Sequence, residues 1–192
     1  MEFYQDLANT VDKNKQTDCV FLDFNKAFDR VHHALLLYKL SFLGLDMQVL
    51  KWLECYLIGR RQSVVVNGTV SVTAEVTSGV PQGSVLGPLL FLIYINDICA
   101  NIQSKIRLYA DDCVIYNTIS SSFEVSQLQD DLCTVQDCCK RWHMTLNSTK
   151  CKVMTFTRKR DIISASYIID GNVVEKVEEF RYLGVILTSN LK

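Results

Sequence analysis

Apolar residues recur along the chain with two spacings, and each spacing predicts a different kind of element. Apolar positions three or four residues apart predict amphipathic helices. The segments with this spacing are 1–15, 31–43, 47–58, 88–101 and 123–143. Short, largely apolar runs predict strands, and these runs are 19–22, 106–109, 113–116, 151–157, 166–170 and 182–187. The mixture indicates an α+β fold, which we expect to be an antiparallel sheet with helices on one face.

Turn residues separate these segments. Asn67-Gly68, between the apolar runs 62–66 and 70–76, is typical of a two-residue hairpin turn. Asp170-Gly171 predicts another turn, and Gly59 predicts the end of the third helix. Internal repeats and linkers are absent from the sequence, so we expect one domain.

The composition indicates a folded chain with a substantial core. Of the 192 residues, 48% are hydrophobic and 21% are charged, which argues against disorder. The sequence does not begin with a signal-peptide pattern, and its longest apolar run, 85–95, is far shorter than the roughly 20 residues of a membrane span. We therefore expect an intracellular protein, in the nucleus or cytoplasm, with no membrane partner. The oligomeric state is not indicated by the sequence.

The cysteines and the charge balance limit the chemistry further. The eight cysteines form no C-x-x-C pair and lie mostly in apolar contexts, which predicts reduced thiols rather than disulfides or a zinc site. The net charge is −1, unusual for a protein that binds nucleic acid. Its dense basic clusters, 60–61 and 158–160, are simplest to interpret as solvated surface.

Two groups of carboxylates could hold metal ions. Asp111 and Asp112 are flanked by apolar residues, which predicts a tight turn over 110–112 with both carboxylates at its tip; a solvated turn is the simpler interpretation. Asp23 follows the strand 19–22, where it could instead cap the next segment. Carboxylates from two strand ends would suit a pair of Mg²⁺ ions.

A third block makes the pattern specific. Residues 78–91 read Ser-Gly-Val-Pro-Gln-Gly-Ser-Val-Leu-Gly-Pro-Leu-Leu-Phe. Together with Asp-Phe-Asn-Lys-Ala-Phe at 23–28 and Tyr-Ala-Asp-Asp at 109–112, this block resembles the reverse transcriptase family, and most closely its non-LTR (LINE-type) retrotransposon members. Residues 146–150 resemble the family's motif D, and residues 182–185 resemble its motif E.

The resemblance implies an RNA-directed DNA polymerase that adds dNTPs to a primer on an RNA or DNA template. It assigns two metal ions to Asp23 and Asp111, with the main-chain carbonyl of Phe24 as a further ligand and Asp112 as a supporting carboxylate. The expected cofactor is Mg²⁺, although Mn²⁺ also accepts an all-oxygen site.

The resemblance also assigns substrate contacts. Phe28 would lie under the sugar of the incoming nucleotide and exclude a 2′-hydroxyl group, or it packs in the core. Gln82 and Gly83 would contact the nucleotide and template, or they belong to a structural loop. Tyr109 would lie near the primer terminus, and Ala110 beneath the new base pair.

Further assignments concern the leaving pyrophosphate, one turn and the primer. Lys150 would protonate the leaving pyrophosphate, or it is a surface lysine. Lys26 and Asp29 have no chemical role by resemblance, and we expect an ion pair that fixes their turn. The remaining motif would form a hairpin that grips the primer backbone, or it is a terminal strand pair; its residues are Tyr182, Leu183 and Gly184.

By this resemblance, residues 1–192 form a polymerase palm with part of the fingers, and the N-terminal fingers and C-terminal thumb are missing. We therefore expect weak or no activity of the chain alone. One alternative is a truncated, non-catalytic remnant with at most weak nucleic-acid binding. A nucleotide cyclase built on a similar palm is a weaker alternative, because it does not account for Pro81-Gln82-Gly83.

Overall fold

The computed structural model describes residues 2–191; Met1 and Lys192, the first residue of the predicted N-terminal helix and the last of the predicted domain, lie outside the described residues. The helices are α1 (Glu2–Asp12), α2 (His33–Ser41), α3 (Met47–Leu57), α4 (Leu86–Ile95) and α5 (Ser122–Arg141), with 3₁₀ turns at Ala27–Arg30 and Asn96–Cys99. The strands are β1 (Gln16–Leu22), β2 (Arg61–Gln62), β3 (Val65–Val66), β4 (Thr69–Val70), β5 (Ala74–Glu75), β6 (Lys105–Tyr109), β7 (Asp112–Ile119), β8 (Lys152–Phe156), β9 (Ile168–Ile169), β10 (Asn172–Val173), β11 (Glu175–Lys176), β12 (Glu179–Tyr182) and β13 (Val185–Thr188). The predicted α+β class is confirmed.

The elements form two compact units. The sheet unit consists of the residues up to Asn25, Ile98–Arg141 and the residues from Thr145 onward. The helical unit consists of Lys26–Asp97 and Trp142–Met144.

The sheet unit is built around a five-stranded sheet with the strand order β11-β8-β1-β7-β6. The central strand β1 pairs antiparallel with β7 and β8, and every residue of β1 is buried. Strand β11 pairs in parallel with β8, so the prediction of a purely antiparallel sheet is corrected at this edge.

Helices cover both faces of this sheet. On one face the Phe3 ring of α1 packs edge-on against Phe21 of β1 and Tyr116 of β7. On the other face Gln127 of α5 accepts a hydrogen bond from Asn117. Tyr116 and Asn117 are neighbours on one strand, so their side chains point to opposite faces. The prediction of helices on one face is therefore wrong, because helical periodicity does not identify the sheet face that a helix covers.

Two predicted segments differ in detail from the structure. Residues 182–187 are not one strand: β12 and β13 form a hairpin whose turn is Leu183-Gly184, with φ of 48° and 81°. Helix α4 begins at Leu86, so Pro88 is its third residue rather than its first. Proline is tolerated there because N–H groups in the first helical turn lack intrahelical partners.

The hairpin of the helical unit has the predicted turn. Asn67 and Gly68 have φ of 49° and 78°, as a two-residue hairpin turn requires. The strands pair in two short ladders, β3 with β4 and β2 with β5. In the sheet unit the predicted turn at Asp170-Gly171 joins β9 to β10 in the same way.

Four of the eight cysteines are buried: Cys19, Cys113, Cys139 and Cys151. No helix within residues 2–191 combines the length and the apolar character that a membrane span requires.

The attachment of α1 to the sheet leads to a pH-dependent prediction. Asp6 accepts a 2.7 Å hydrogen bond from the Tyr116 hydroxyl group and lies 3.1 Å from the Lys105 ammonium group, and these contacts lower the pKa of Asp6, the tyrosine hydrogen bond most. We expect Asp6→Ala to lower the Tm by about 2–4 °C at neutral pH, the value of roughly one hydrogen bond in a chain of this size.

The pH dependence of this effect has a definite sign. Because the folded-state pKa of Asp6 is lowered, its stabilisation is present above the ordinary value of 3.8 and is lost as the pH falls through the lowered value. Thermal unfolding at neutral and acidic pH measures this difference. Asp12→Ala is the control, because the Asp12–Arg158 pair is exposed and should contribute little. An Asp6→Ala effect that persisted unchanged in acid would contradict the assignment.

Candidate active site

Asp23 and Asp112 lie at the same end of two neighbouring strands, β1 and β7. Leu22, the last residue of β1, pairs with Cys113 of β7. The strands are antiparallel, so Asp23 directly follows this pair on one strand and Asp112 directly precedes it on the other. Both carboxylates line a cavity of about 310 Å³ in the sheet unit, together with Lys150.

Asp111 lies on the turn that directly precedes Asp112. The last pair of the β6–β7 hairpin is Tyr109 with Asp112, which leaves Ala110 and Asp111 as a two-residue turn. The predicted tight turn is confirmed, with Asp112 as the first residue of β7 rather than part of the tip. Ala110 has φ of 55°, a left-handed conformation that costs about 1–2 kcal/mol for a residue with a Cβ atom.

The electrostatic surroundings of Asp112 disfavour its charged form. The pKa of Asp112 is raised by partial desolvation and, to a smaller degree, by the negative charges of Asp111 and Asp23. Like charges gathered in this way disfavour ionisation, and a bound cation would reverse that effect.

The backbone around Asp23 is held from both sides. The Asn147 N–H donates to the Asp23 carbonyl oxygen at 2.8 Å, and the Cys151 sulfur accepts a 3.5 Å hydrogen bond from the Asp23 N–H. Phe24 is buried and bridges to Leu146. The hydrogen bonds of this bridge are made by Asp23 and Asn25, the residues on either side of Phe24. The Phe24 carbonyl group is therefore not used by the bridge, and its role as a metal ligand stays a prediction.

Lys150 lies beside this backbone segment. Its ammonium nitrogen is 3.9 Å from an Asp23 carboxylate oxygen, and its side chain is 68% exposed. An exposed ion pair at this distance contributes less than about 1 kcal/mol to stability, so the lysine side chain can move toward a ligand. The structure therefore brings Lys150 to the carboxylates, and its predicted role as a proton donor stays a prediction.

The donor set fits a hard divalent cation. Asp23, Asp111 and Asp112 offer carboxylate oxygens, which such ions prefer. Across residues 2–191, a preformed metal site of three or more His, Cys, Asp or Glu side chains is not found. A cation held by these carboxylates would fill the rest of its coordination shell with water and substrate oxygens, as Mg²⁺ usually does.

In the helical unit the loop over 78–82 is fastened to the 3₁₀ turn Ala27–Arg30 and the residue after it. The Val80 N–H donates to the Phe28 carbonyl oxygen at 2.9 Å, and the Gly79 N–H donates to the Val31 carbonyl oxygen at 2.8 Å. His33 was not predicted as a site residue; it is buried, and its Nε2 lies 2.8 Å from the Gly79 carbonyl oxygen.

Phe28 has one ring face occupied. It stacks on the buried Phe91 at 4.4 Å between ring centroids and 24° between planes. The ring remains partly exposed. Its predicted contact with the nucleotide sugar stays a prediction, and the alternative of core packing describes only one side of the ring.

Gln82 is exposed and donates a 2.9 Å hydrogen bond to Asp29. Among the described residues Asp29 forms no ion pair with Lys26, so that expectation is wrong. Gly83 has φ of 80° and open space where a Cβ atom would lie, so its backbone conformation is the reason for glycine.

The predicted primer-contact residues meet in the sheet unit. Tyr109 is 67% exposed and lines an apolar cavity of about 490 Å³ together with Tyr182 and Leu183. Tyr182 is buried, and burial raises its pKa to about 12. Gly184 is in the turn beside this cavity.

The fold and the site define a polymerase palm. The chain is similar in structure to "apo telomerase from Candida Tropicalis truncated from C-terminal domain", with a TM-score of 0.61, 11% identity, and coverage of 98% of this chain and 38% of that chain. Residues 2–187 match the family described as "Reverse transcriptase (RNA-dependent DNA polymerase)". The chain belongs to this family.

Curated relatives agree with the family. The chain is 35% identical over 191 residues to the "RNA-directed DNA polymerase from mobile element jockey" of Drosophila funebris, covering 94% of this chain and 20% of that protein. It is 33% identical to the "Probable RNA-directed DNA polymerase from transposon X-element" of Drosophila melanogaster, covering 97% and 21%. It thus spans about a fifth of these relatives. The predicted resemblance to non-LTR retrotransposon reverse transcriptases is confirmed.

Proposed function

We propose that this chain is the palm of an RNA-directed DNA polymerase that adds dNTPs to the 3′-hydroxyl group of a primer on an RNA or DNA template. The observation that carries the proposal is the placement of Asp23 and Asp112 at the same end of the paired strands β1 and β7, with Asp111 on the adjoining turn. Polymerisation requires nucleotides and template, so we also propose an intracellular location, in the nucleus or cytoplasm.

The carboxylates are proposed to hold two Mg²⁺ ions, with Mn²⁺ as a substitute. Asp23 and Asp111 would be the main ligands, and Phe24 (by its carbonyl group) and Asp112 would assist. When bound, such ions neutralise charge on the attacking and leaving oxygens of the phosphoryl group. Desolvation first, and then the negative charges of Asp111 and Asp23, raise the pKa of Asp112, and a bound cation would offset this cost of its negative charge.

Other side chains of the sheet unit would act on the primer and the leaving group. Lys150 is close enough to the carboxylates, and exposed enough, to give a proton to the leaving pyrophosphate. Tyr109 and Tyr182 line one apolar cavity that would receive the primer end. In the helical unit, Phe28 would contact the sugar of the incoming nucleotide, and Gln82 would contact the nucleotide and the template.

Primer extension on an RNA template with Mg²⁺ tests the proposal, comparing the chain with its Asp111→Ala variant. We expect extension to fall by about 10³-fold or more, because metal-assisted charge stabilisation is worth several kcal/mol. Asp161→Ala is the control, since Asp161 is exposed in the loop between β8 and β9. Unchanged synthesis by Asp111→Ala would refute the metal assignment.

If neither protein extends the primer, residues 2–187 can be grafted into a full-length jockey-type relative. Synthesis by the graft would support a competent palm that needs further parts. A graft that folds and binds template but synthesises no DNA would identify the chain as a non-catalytic remnant.

A further inference from the structure

Asp29, which has no role in the proposed chemistry, forms a side-chain pair with Gln82. Asp29 lies in the 3₁₀ turn Ala27–Arg30, and Gln82 lies in the loop before α4. The Gln82 amide nitrogen donates to an Asp29 carboxylate oxygen at 2.9 Å. The two residues are 53 positions apart in the sequence, so only the fold brings them together.

The chemistry of this pair fixes the orientation of the Gln82 amide. An ionised carboxylate accepts hydrogen bonds and cannot donate them. The NH₂ end of the Gln82 amide must therefore face Asp29, and the amide oxygen must face away from it. Gln82 consequently presents a hydrogen-bond acceptor to any ligand that approaches its outer side.

The backbones that carry the pair are fastened independently of it. The Ser78 hydroxyl group donates to the Asp29 carbonyl oxygen at 2.8 Å, and the Val80 N–H donates to the Phe28 carbonyl oxygen at 2.9 Å. Removing the Asp29 carboxylate would leave these contacts in place. The loop would keep its position, and the Gln82 amide would lose its fixed orientation.

The pair lies where a polar ligand can reach it. Asp29 and Gln82 line a cavity of about 480 Å³ within the helical unit, together with Lys26, Arg60 and Gln62. Both side chains are exposed to solvent. Lys26 and Arg60 are cationic groups suited to a ligand that carries phosphate.

We propose that Asp29 is a positioning residue, which orients Gln82 so that the amide oxygen accepts a hydrogen bond from the substrate nucleotide. This inference rests on the proposed polymerase function, which supplies the nucleotide. The group that meets Gln82 must be a hydrogen-bond donor. The sugar of a nucleotide offers one such donor, its 3′-hydroxyl group, and on the minor-groove side of a base pair the exocyclic amine of guanine is the donor of the bases.

A double-mutant cycle tests the coupling, with kcat and KM for dNTP measured in a chain that extends primers, or in the full-length graft. We expect Asp29→Ala and Gln82→Ala each to raise KM by about 5–10-fold, the typical effect of one lost hydrogen bond. The double variant should be no worse than Gln82→Ala alone. Asp29→Asn, whose amide oxygen still accepts from Gln82, should restore a near wild-type KM.

Ser78→Ala is the matched control. It removes the hydrogen bond from the Ser78 hydroxyl group to the Asp29 carbonyl oxygen without touching Gln82, so its effect should add to that of Gln82→Ala. Additive losses for Asp29→Ala and Gln82→Ala, or no rescue by Asp29→Asn, would overturn the positioning role.

Substrate analogues identify the donor. Dideoxynucleotides lack the 3′-hydroxyl group, and dITP lacks the exocyclic amine of dGTP. The wild type should discriminate against one of them, and Asp29→Ala and Gln82→Ala should both erase that discrimination. If neither discrimination changes in either variant, the presented oxygen meets no substrate donor and the proposal fails.

A measurement without catalysis separates this inference from the proposed function. In ¹H–¹⁵N spectra of the chain, Gln82→Ala assigns the side-chain NH₂ signals by their loss. Asp29→Ala should shift these signals toward those of a free amide, and Asp29→Asn should not. Unchanged signals in Asp29→Ala would overturn the contact itself. Shifted signals with no synthesis by any protein would refute the polymerase proposal instead.

Discussion

Asp23→Asn should reduce DNA synthesis by about 10³-fold or more and leave the fold intact. The amide has nearly the shape of the carboxylate but carries no charge, so it would hold a divalent cation weakly and lose several kcal/mol of transition-state stabilisation. The backbone contacts of Asp23 with Asn147 and Cys151 do not involve its side chain and should persist. Single-turnover primer extension with saturating dNTP measures the loss.

The same variant should be at least as stable as the wild type when no divalent cation is present. Desolvation is the main cause of the raised pKa of Asp112, and the charges of Asp111 and Asp23 add to it, so removing one charge relieves repulsion. Thermal unfolding in EDTA and in Mg²⁺ separates the two effects: Mg²⁺ should raise the Tm of the wild type more than that of Asp23→Asn. Asp137→Asn, on the exposed side of α5, is the control. An equal response to Mg²⁺ in both proteins would mean that Asp23 is not a ligand.

Gly79→Ala should be among the most destabilising single substitutions in the helical unit. Gly79 has φ of 86°, and a Cβ atom there would lie 2.8 Å from the Asp29 Cα atom and 3.0 Å from the Phe28 carbonyl oxygen. The neighbours are backbone atoms, which cannot swing aside. We expect a loss of about 3 kcal/mol or more, from left-handed strain plus the displaced backbone. In a chain of this length that corresponds to a Tm lower by about 6–12 °C.

Gly83→Ala is a matched comparison within the same loop. Gly83 has φ of 80°, but nothing lies within 4 Å of the position of its Cβ atom. This variant should lose only the conformational part, about 1–2 kcal/mol. Thermal or denaturant unfolding of both variants measures the difference. Equal losses would show that residues 78–82 do not press against the turn at Ala27–Arg30 as closely as the contacts indicate.

Local sequence patterns were enough to predict the helices and turns whose residues have strong local preferences. The apolar spacing of Phe3, Leu7 and Val11 predicted α1, and Asn67-Gly68 predicted a hairpin turn. The apolar pattern alone predicted one strand over 182–187, and only the family resemblance implied a hairpin there, because the turn places Leu183 at positive φ, which leucine does not favour. Strand β11 is two polar residues that pair by backbone alone, so it leaves no apolar pattern.

Site residues that belong to a short family motif could be predicted from the sequence. Contacts between residues that are distant in the sequence could not. The resemblance supplied Asp23 and Asp112, and the register of β1 and β7 brings them together. The pairing of Asp29 with Gln82 and the contact of Cys151 with the Asp23 N–H join residues 53 and 128 positions apart. Such contacts depend on tertiary packing, and one sequence contains no local signal for them.

The central position of β1 has a consequence for how the chain is made. β1 is synthesised before both of its partners, which are distant in the sequence: Gln16 pairs with Ile119, and Thr17 pairs with Phe156. At a synthesis rate of about 5–20 residues per second, this apolar strand waits roughly 5–20 s for β7 to leave the ribosome. During that time it can pair with other chains, and sheets with such distant partners also fold slowly. Asp23 and Asp112 come together only with this long-range pairing, so the carboxylate site forms late and depends on the nascent chain avoiding aggregation.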